Sequence, residues 1–317
     1  MSSHPTSGPQ RHLRGPASRR QFLVSTWSAL GVLACGIHPA ARAAVSTPHT
    51  PRFPIIGFSK PFQSLDPEQT SDLVTRVGWD GIEIPLRPKG QVEPERAPDD
   101  LPRFAEALRR SGRAIHLAAT DITSLKTPHA ETVLRTLSRL GIRRLRLGFF
   151  QYPADRSPAD HLKDLAPALR DIADACRDLG LQAGFQNHSG DRQVGAPIWD
   201  VYSLLKDLDP RHIGFCFDIG HATIEGGLSW PIDARVAEPF LTAVLVKDFV
   251  WKKGNARWQE SWCPLGEGMV NRSFFEWLKK TRFQGPICQH HEYPLGPGDE
   301  MISSFQRDLG VLRQWLQ

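Results

Sequence analysis

The sequence predicts a single-domain α/β fold of the (β/α)8 class, the TIM barrel. From about residue 54 onward, an apolar strand, a turn and an amphipathic helix alternate eight times. Several of these strands end in polar side chains, as strands do at the carboxyl edge of a parallel barrel. No G-x-G-x-x-G follows the first strand, where IIGFSKPF stands instead, which disfavours a doubly wound open sheet.

Each predicted strand is a short apolar run bounded by turn residues. The eight strands are predicted at Pro54–Phe58, Gly81–Pro85, Ala114–Ala118, Arg143–Leu147, Leu181–Gln186, Ile213–Phe217, Leu241–Val246 and Gly285–Gln289. Asp66 and Pro67 provide a capping side chain and a first-turn proline for the first helix. Further helices are predicted at about 99–111, 129–140, 158–179, 271–282 and 299–316.

The N-terminal segment has the features of an export signal. Arg19 and Arg20 directly precede an apolar run, Phe22 to Ile37, that is too short for a standard membrane span, and Ala41-Arg42-Ala43 provides a cleavage site. This resembles a twin-arginine signal, with an ordinary Sec signal as the alternative. The predicted organisation is a twin-arginine signal peptide at 1–43, a linker at 44–53 and the barrel at 54–317. The mature protein is thereby predicted to be periplasmic or secreted, without a membrane span.

The basic character of the chain belongs to this segment. The whole sequence has 39 basic and 34 acidic residues, and residues 1–43 contain five arginines and no acid. The remainder therefore has as many basic as acidic residues, which gives no argument for a nucleic-acid partner. Four cysteines remain after the signal without C-x-x-C spacing, so a zinc ribbon is excluded; Cys216 and Cys288 are predicted to be buried in strands.

The stretch IGFCFDIGHAT, from Ile213 to Thr223, is the strongest candidate for a functional site. It places Asp218 and His221 three residues apart where a predicted strand ends. The pair is a candidate metal or substrate site, and the alternative is an aspartate that caps the next helix beneath a packed histidine.

Alternation along the strands places further polar residues in the upper barrel, because every second side chain of a barrel strand points inward. With Asp218 taken as inward, the residues predicted to face the same mouth are Glu83, His116, Arg146, Gln186, Lys247 and His290. Imidazoles and carboxylates together suit a divalent metal such as Mn, Zn or Co. The alternatives are a buried ion pair between Glu83 and Arg146 and a satisfied core histidine at 116.

A long loop, Phe249 to Val270, follows the seventh strand. It contains Trp251, Trp258 and Trp262, which are predicted either to stack on a sugar ring or to form a hydrophobic lid.

The series GIEI, FQNHSG, FDIGHA, LVKDF, PLGEG and GPICQHHEY resembles the xylose-isomerase-like TIM barrel superfamily of sugar isomerases and epimerases. The resemblance covers nearly all of the chain from Pro54 onward. It implies a divalent metal held after strands five to eight, and a proton moved beside a carbonyl by two glutamates.

This sequence departs from the motif that the resemblance implies. The strand-five glutamate is Gln186, the strand-seven histidine is Leu245 and the strand-eight glutamate is His290. Gln186 is unable to act as a base and Leu245 is unable to bind a metal. A rearranged site is expected, in which each residue has a predicted role. The metal ligands are Asp218, His290, Gln186 and Glu292; the catalytic residues are His221, Lys247 and His290; the substrate-binding residues are Glu83, His116, Arg146, Gln186, His188 and Trp251.

The leading hypothesis is an exported enzyme of the sugar isomerase, epimerase or lyase type that acts on a sugar or keto-sugar with a divalent metal. The first alternative is a carbohydrate-binding barrel without turnover, favoured by Gln186 and Leu245. The second is a phosphodiesterase of the endonuclease IV type, disfavoured by the neutral mature chain. The partner expected is a small carbohydrate, and the sequence leaves the oligomeric state open.

Overall fold

The computed structural model describes residues 53–317. The predicted signal peptide and all but the last residue of the predicted linker lie outside these residues. Among residues 53–317, no helix combines the length and the apolar character needed to cross a bilayer.

Eight parallel strands close into a barrel, and the fold prediction is confirmed. The strands of the described residues are β1 (Ile55–Phe58), β2 (Gly81–Pro85), β3 (Ala114–Ala119), β4 (Arg144–Arg146), β5 (Gln182–Gln186), β6 (Ile213–Asp218), β7 (Leu241–Val246), β8 (Asp248–Lys253), β9 (Trp258–Cys263) and β10 (Ile287–Gln289). Around the ring the order is β1 to β7 in sequence, and then β10, which pairs with β1. In this ring β2 and β6 lie on opposite sides.

Helices cover the outside of the barrel. They are α1 (Pro67–Val77), α2 (Ala97–Arg110), α3 (Ala130–Arg139), α4 (Pro158–Leu179), α5 (Ile198–Leu205), α6 (Ile219–Gly226), α7 (Trp230–Ala237), α8 (Ser273–Leu278) and α9 (Asp299–Leu316). Asp66 caps α1 in a capping box with Gln69, as its sequence predicts. The helix predicted at 271–282 is shorter than expected.

Two hydrophobic clusters stabilise the fold. The larger cluster fills the space between the strands and the helices and includes the fully buried Trp79, whose Nε1 donates to Gln289 Oε1. The smaller cluster fills the barrel interior with Ile56, Phe58, Leu117, Ala119, Cys216, Ala243, Leu245 and Cys288. The apolar interior supports a layer of polar side chains at the carboxyl ends of the strands.

The segment after β7 differs from its prediction as a loop. β8 and β9 form an antiparallel hairpin in which Phe249 pairs with Trp262 and Trp251 with Glu260. These four side chains share one face of the hairpin, because alternate residues of a strand point the same way.

Candidate active site

A layer of buried polar side chains lies at the carboxyl ends of the barrel strands. Its members are Glu83, Arg146, Gln186, Asn187, Asp218, His221, Lys247 and His290, and each is at most 5% exposed. Asp218 and five of the six residues that the sequence predicted to face the same mouth belong to this layer. Buried ionic groups need partners, because the cost of their desolvation is otherwise not offset.

Asp218 caps a helix, which is one of the two alternatives that the sequence left open, and its second oxygen remains directed into the barrel. Its Oδ1 accepts the backbone N–H of His221 and caps α6, while Oδ2 points into the barrel. Asn187 holds the backbone of Asp218 in place, because its Oδ1 accepts from Asp218 N and its Nδ2 donates to Asp218 O. The cap and this pair of bonds fix the carboxylate rigidly.

Glu83, Arg146, Gln186 and Asp218 form a continuous chain of hydrogen bonds. Arg146 Nε donates to Glu83 Oε1 at 2.7 Å, and Arg146 Nη1 donates to Gln186 Oε1 at 2.6 Å. Gln186 Nε2 then donates to Asp218 Oδ2 at 2.9 Å. Since a guanidinium only donates and a carboxylate only accepts, both partners fix the orientation of the Gln186 amide. The buried ion pair considered from the sequence for Glu83 and Arg146 is therefore present.

His290 and Cys288 complete the environment of Glu83. His290 Nε2 lies 2.7 Å from Glu83 Oε2, and the Cys288 thiol donates to the same oxygen at 3.2 Å. Burial alone would raise the pKa of Glu83, but Arg146 and His290 hold it well below its usual value. Burial and the neighbouring carboxylate raise the pKa of Cys288, so this thiol is protonated. The His290 ring stacks on Phe58 at a centroid distance of 4.6 Å.

Lys247 is the cation next to Asp218. Its Nζ lies 3.3 Å from Asp218 Oδ2, 3.9 Å from Glu292 Oε1 and 4.7 Å from the centre of the Trp262 ring. Gly220 allows this approach, because a Cβ there would lie 2.8 Å from the Lys247 backbone oxygen. Burial would raise the pKa of Asp218, but the Lys247 ammonium and the backbone N–H of His221 hold it well below its usual value.

His221 is a neutral imidazole with an unused nitrogen. Its Nδ1 lies 2.8 Å from Ser189 Oγ, whereas Nε2 is buried, has no hydrogen-bond partner among the described residues and lies 3.8 Å from Asp218 Oδ2. The ring of His188 packs against it at 3.8 Å between centroids. Burial, opposed by Asp218 and assisted by Lys247 and His188, lowers the pKa of His221 well below 6.5.

The β8–β9 hairpin covers this side of the mouth. Trp262 meets the His221 ring edge-to-face at 5.5 Å, and Phe249 packs between Trp262 and Trp251. Trp251 lies farther out on the same face and is 40% exposed. Of the two alternatives for the tryptophans, Trp262 matches the lid, and Trp251 offers an accessible ring beside it.

Asp248 anchors the segment that carries the hairpin. Its two carboxylate oxygens accept the backbone N–H groups of Phe249, Gly266, Gly268 and Val270 at 2.9 to 3.1 Å. Gly268 is required by this packing, because a Cβ there would lie 2.3 Å from Asp248 Oδ1. The motifs LVKDF and PLGEG are therefore joined in space by these bonds.

The prediction that His116 faces the mouth is wrong. The pairing of β2 with β3 passes from Ile82–Ile115 to Glu83–Leu117, so His116 forms a bulge and is skipped in the register. Its imidazole packs over Gly81, within electrostatic reach of Asp80 and Arg144, at the amino end of the strands. Leu117 and Ala119 are the inward residues of β3 instead.

Of the four residues predicted to bind a metal, Asp218, Gln186 and Glu292 are not arranged as ligands. Gln186 directs its N–H group toward Asp218 and its oxygen toward Arg146, while Lys247 lies between Asp218 and Glu292. Leu245, at the remaining position of the implied metal site, is buried in the apolar interior. The Lys247 ammonium thus neutralises Asp218, the carboxylate that the resemblance assigns to a metal, and the implied site does not fit an ion.

A second buried group, which contains the predicted ligand His290, has the donor types of a metal site. One ligand atom each from Glu83, Cys288 and His290 lie within 4.8 Å of one another, and the three residues are able to hold an ion. Thiolate, imidazole and carboxylate are typical zinc ligands. Glu83 Oε2 lies 2.7 Å from His290 Nε2 and 3.2 Å from Cys288 Sγ. These hydrogen-bond distances are shorter than the roughly 3.3–3.7 Å between ligand atoms around tetrahedral zinc.

Sequence reasoning missed several contributors to the site. Cys288 was predicted to be a buried apolar residue, yet it donates to Glu83, and Phe58 carries the ring on which His290 stacks. Ser189 orients His221. Their positions were the available signal, because Phe58 ends β1, Cys288 lies in the middle of β10 and Ser189 follows β5 by three residues.

Comparison with known proteins agrees with this architecture. An uncharacterised protein of Methanocaldococcus jannaschii is 28% identical over 115 residues, which span 36% of this chain and 37% of that protein. The crystal structure of 3-keto-D-glucoside 4-epimerase from E. coli superposes with a TM-score of 0.65 at 16% identity, covering 83% of this chain and 99% of that chain. A xylose isomerase-like TIM barrel protein from Mycobacterium smegmatis, solved in complex with magnesium, superposes with a TM-score of 0.61 at 18% identity, covering 84% and 98%.

The family assignment rests on a longer match than that of the M. jannaschii relative. The family model for the xylose isomerase-like TIM barrel matches residues 71–314, which include the strand-end motifs from β2 to β10. This chain therefore belongs to the xylose isomerase-like TIM barrel family.

Proposed function

We propose that this protein is an exported enzyme of the sugar isomerase, epimerase or lyase type, which moves a proton at the carbon beside the carbonyl of a sugar or keto-sugar. The observation that carries the proposal is the buried Nε2 of His221, which has no hydrogen-bond partner within residues 53–317 and shares Asp218 Oδ2 as a neighbour with the Lys247 ammonium. An orphaned polar atom is costly in a buried site, and a substrate group offsets that cost. The epimerase among the structural neighbours supports the reaction class.

Each residue has a role in this proposal. Lys247, held by Asp218, stabilises the negative charge that develops on the carbonyl oxygen. The neutral His221 takes the proton from the adjacent carbon at Nε2, and the electron pair of the broken C–H bond moves toward the carbonyl oxygen. His290, whose ring Glu83 and Phe58 fix, is the proposed second proton-transfer residue. His188 and Trp251 are proposed to contact the sugar.

The proposed proton transfer uses no divalent ion at the position that the resemblance implies, because Gln186, Leu245 and Lys247 do not fit one there. Of the expected ions Mn, Zn and Co, the group of Glu83, Cys288 and His290 suits zinc best by ligand type. Export rests on the paired Arg19 and Arg20 in the N-terminal segment.

The test is proton exchange with solvent. The mature protein is incubated with keto-sugars in D2O, with and without a chelator, and deuterium in the sugar is followed by mass spectrometry. We expect incorporation that the chelator leaves unchanged, and a loss of about 100-fold or more in His221→Gln and in Lys247→Met. His212→Gln, which changes a histidine at the amino end of β6, serves as the matched control. Incorporation that persists in His221→Gln would contradict the assigned roles.

A carbohydrate-binding barrel without turnover is the second candidate. The observation in its favour is that the buried carboxylates, amide and guanidinium are saturated by each other, with Gln186 in place of a catalytic base. Sugar binding in calorimetry without any deuterium incorporation would favour this function.

A further inference from the structure

Arg87 is a cation at the mouth of the barrel that forms no ion pair with any residue from 53 to 317. It stands two residues after the end of β2, and its guanidinium carbon lies 5.8 Å from the centre of the Phe58 ring. No carboxylate oxygen of the described residues lies within 4.0 Å of its guanidinium nitrogens, and none of these residues forms a hydrogen bond with its side chain. Arg87 is only partly exposed, so its charge has lost part of its hydration.

The other cations of the mouth have acidic partners. Arg146 is bonded to Glu83, Lys247 lies beside Asp218 and Glu292, and Lys60 is 3.5 Å from Glu292. Arg87 has no such close partner among the described residues: Asp121, which follows β3, acts on it electrostatically but lies more than 4.0 Å away.

A second cation close to Arg87 increases the demand for an anion. The Arg146 guanidinium lies 5.4 Å from the centre of the same Phe58 ring, whose stacking partner is His290. Burial and the proximity of Arg146 lower the pKa of Arg87, while Glu83, Glu292 and Asp121 only partly oppose this. The guanidinium fork matches a carboxylate or a phosphate group with two parallel hydrogen bonds.

We propose that Arg87 binds an acidic group of the substrate, so that the substrate is a sugar that carries a carboxylate or a phosphate. This proposal rests on the proposed function, in which Asp218 and His221 belong to the reacting site. The strand β2, which precedes Arg87, lies across the ring from β6, and β6 ends at Asp218 just before His221. A substrate with its reacting carbon at His221 and its acid at Arg87 spans the mouth. The acidic group thereby sets both the register and the orientation of the sugar.

The experiment measures binding by calorimetry with three probes that differ at one carbon: D-glucose, D-glucuronate and D-glucose 6-phosphate. We expect at least one acid to bind about tenfold or more tightly than D-glucose. The preferred acid identifies the group as a carboxylate or a phosphate. Arg87→Met is expected to abolish the preference, and Arg87→Lys is expected to keep part of it.

Lys126→Met is the matched control, because it removes one exposed positive charge from the loop after β3 and is expected to keep the preference. The proposal is overturned if neither acid binds more tightly than D-glucose to the wild type, or if Arg87→Met retains the preference. Binding does not require turnover, so an acid preference without deuterium exchange would reject the proposed reaction and leave the Arg87 site standing.

Discussion

At the scale of single residues, Gln186 determines what kind of cation the site accepts. Its amide bridges Arg146 and Asp218, a task that needs one acceptor and one donor on the same group. A glutamate has no donor when ionised, so it would place a second negative charge 2.9 Å from Asp218. The neutral amide therefore suits a site in which the side chains of Arg146 and Lys247 supply the positive charge.

The variant Gln186→Glu tests this argument. We expect a loss of about 1–3 kcal/mol in the free energy of unfolding without metal, because a hydrogen bond to a charged group is replaced by repulsion between carboxylates. Added Mn²⁺ should raise the melting temperature of this variant, since it offers two adjacent carboxylates, and leave the wild type unchanged. Thermal denaturation with and without Mn²⁺ measures both effects.

Gln182→Glu is the control, because it adds the same charge to the same strand at the amino end of β5. An equal rise in melting temperature for the wild type and Gln186→Glu would show that the wild-type site already accepts the ion.

At the scale of elements, Asp248 connects the end of β7 to the cover of the mouth. The variant Asp248→Ala leaves four backbone N–H groups without an acceptor, so we expect a loss of about 3 kcal/mol or more in the free energy of unfolding. Hydrogen exchange should accelerate at the amides of Gly266, Gly268 and Val270. Glu260→Ala removes an exposed carboxylate from the same hairpin and should leave these amides protected. Unchanged exchange in Asp248→Ala would mean that the turn holds without this anchor.

Elements whose pattern is local were predicted well from the sequence. β2, β7, α4 and α9 begin and end at the predicted residues, because apolar period, caps and prolines act over a few positions. The β8–β9 hairpin was missed, because its tryptophans and charged residues lack the apolar alternation of a half-buried strand. The bulge at His116 was missed because register depends on the neighbouring strand.

The composition of the site was predictable, whereas its connections were not. The sequence places Asp218, Lys247 and His290 at strand ends, and the barrel brings them to one layer. Whether Gln186 faces a metal or a guanidinium depends on Arg146, which lies 40 residues earlier in the chain. Such pairing follows from three-dimensional distances and has no local signature.

At the scale of the whole molecule, buried imidazoles link stability to pH. Burial lowers the pKa of His188 and His221, and burial together with His290 and Arg307 lowers that of His291 to about 3. Between a lowered pKa and 6.5, the unfolded chain binds a proton that the folded chain does not, so stability falls as the pH falls below 6.5. Glu83 and Asp218, whose pKa values are also lowered, act in the same direction at more acidic pH, whereas burial raises the pKa values of Asp200 and Asp308 and opposes the trend.

The contribution of His291 to the pH dependence of stability can be measured separately. Both ring nitrogens are buried without a hydrogen bond among the described residues, with Asp308 Oδ2 at 3.4 Å from Nε2, and the ring packs against Phe305 and Trp79. We expect His291→Phe to be as stable as the wild type or more so at pH 7.5, because it removes two unsatisfied polar atoms from an aromatic cluster. From pH 6 to 5 its stability should fall less steeply, by up to about 1.4 kcal/mol per pH unit. Urea unfolding at pH 7.5, 6 and 5 measures the slope, and equal slopes for the two proteins would show that His291 takes up its proton in the folded barrel.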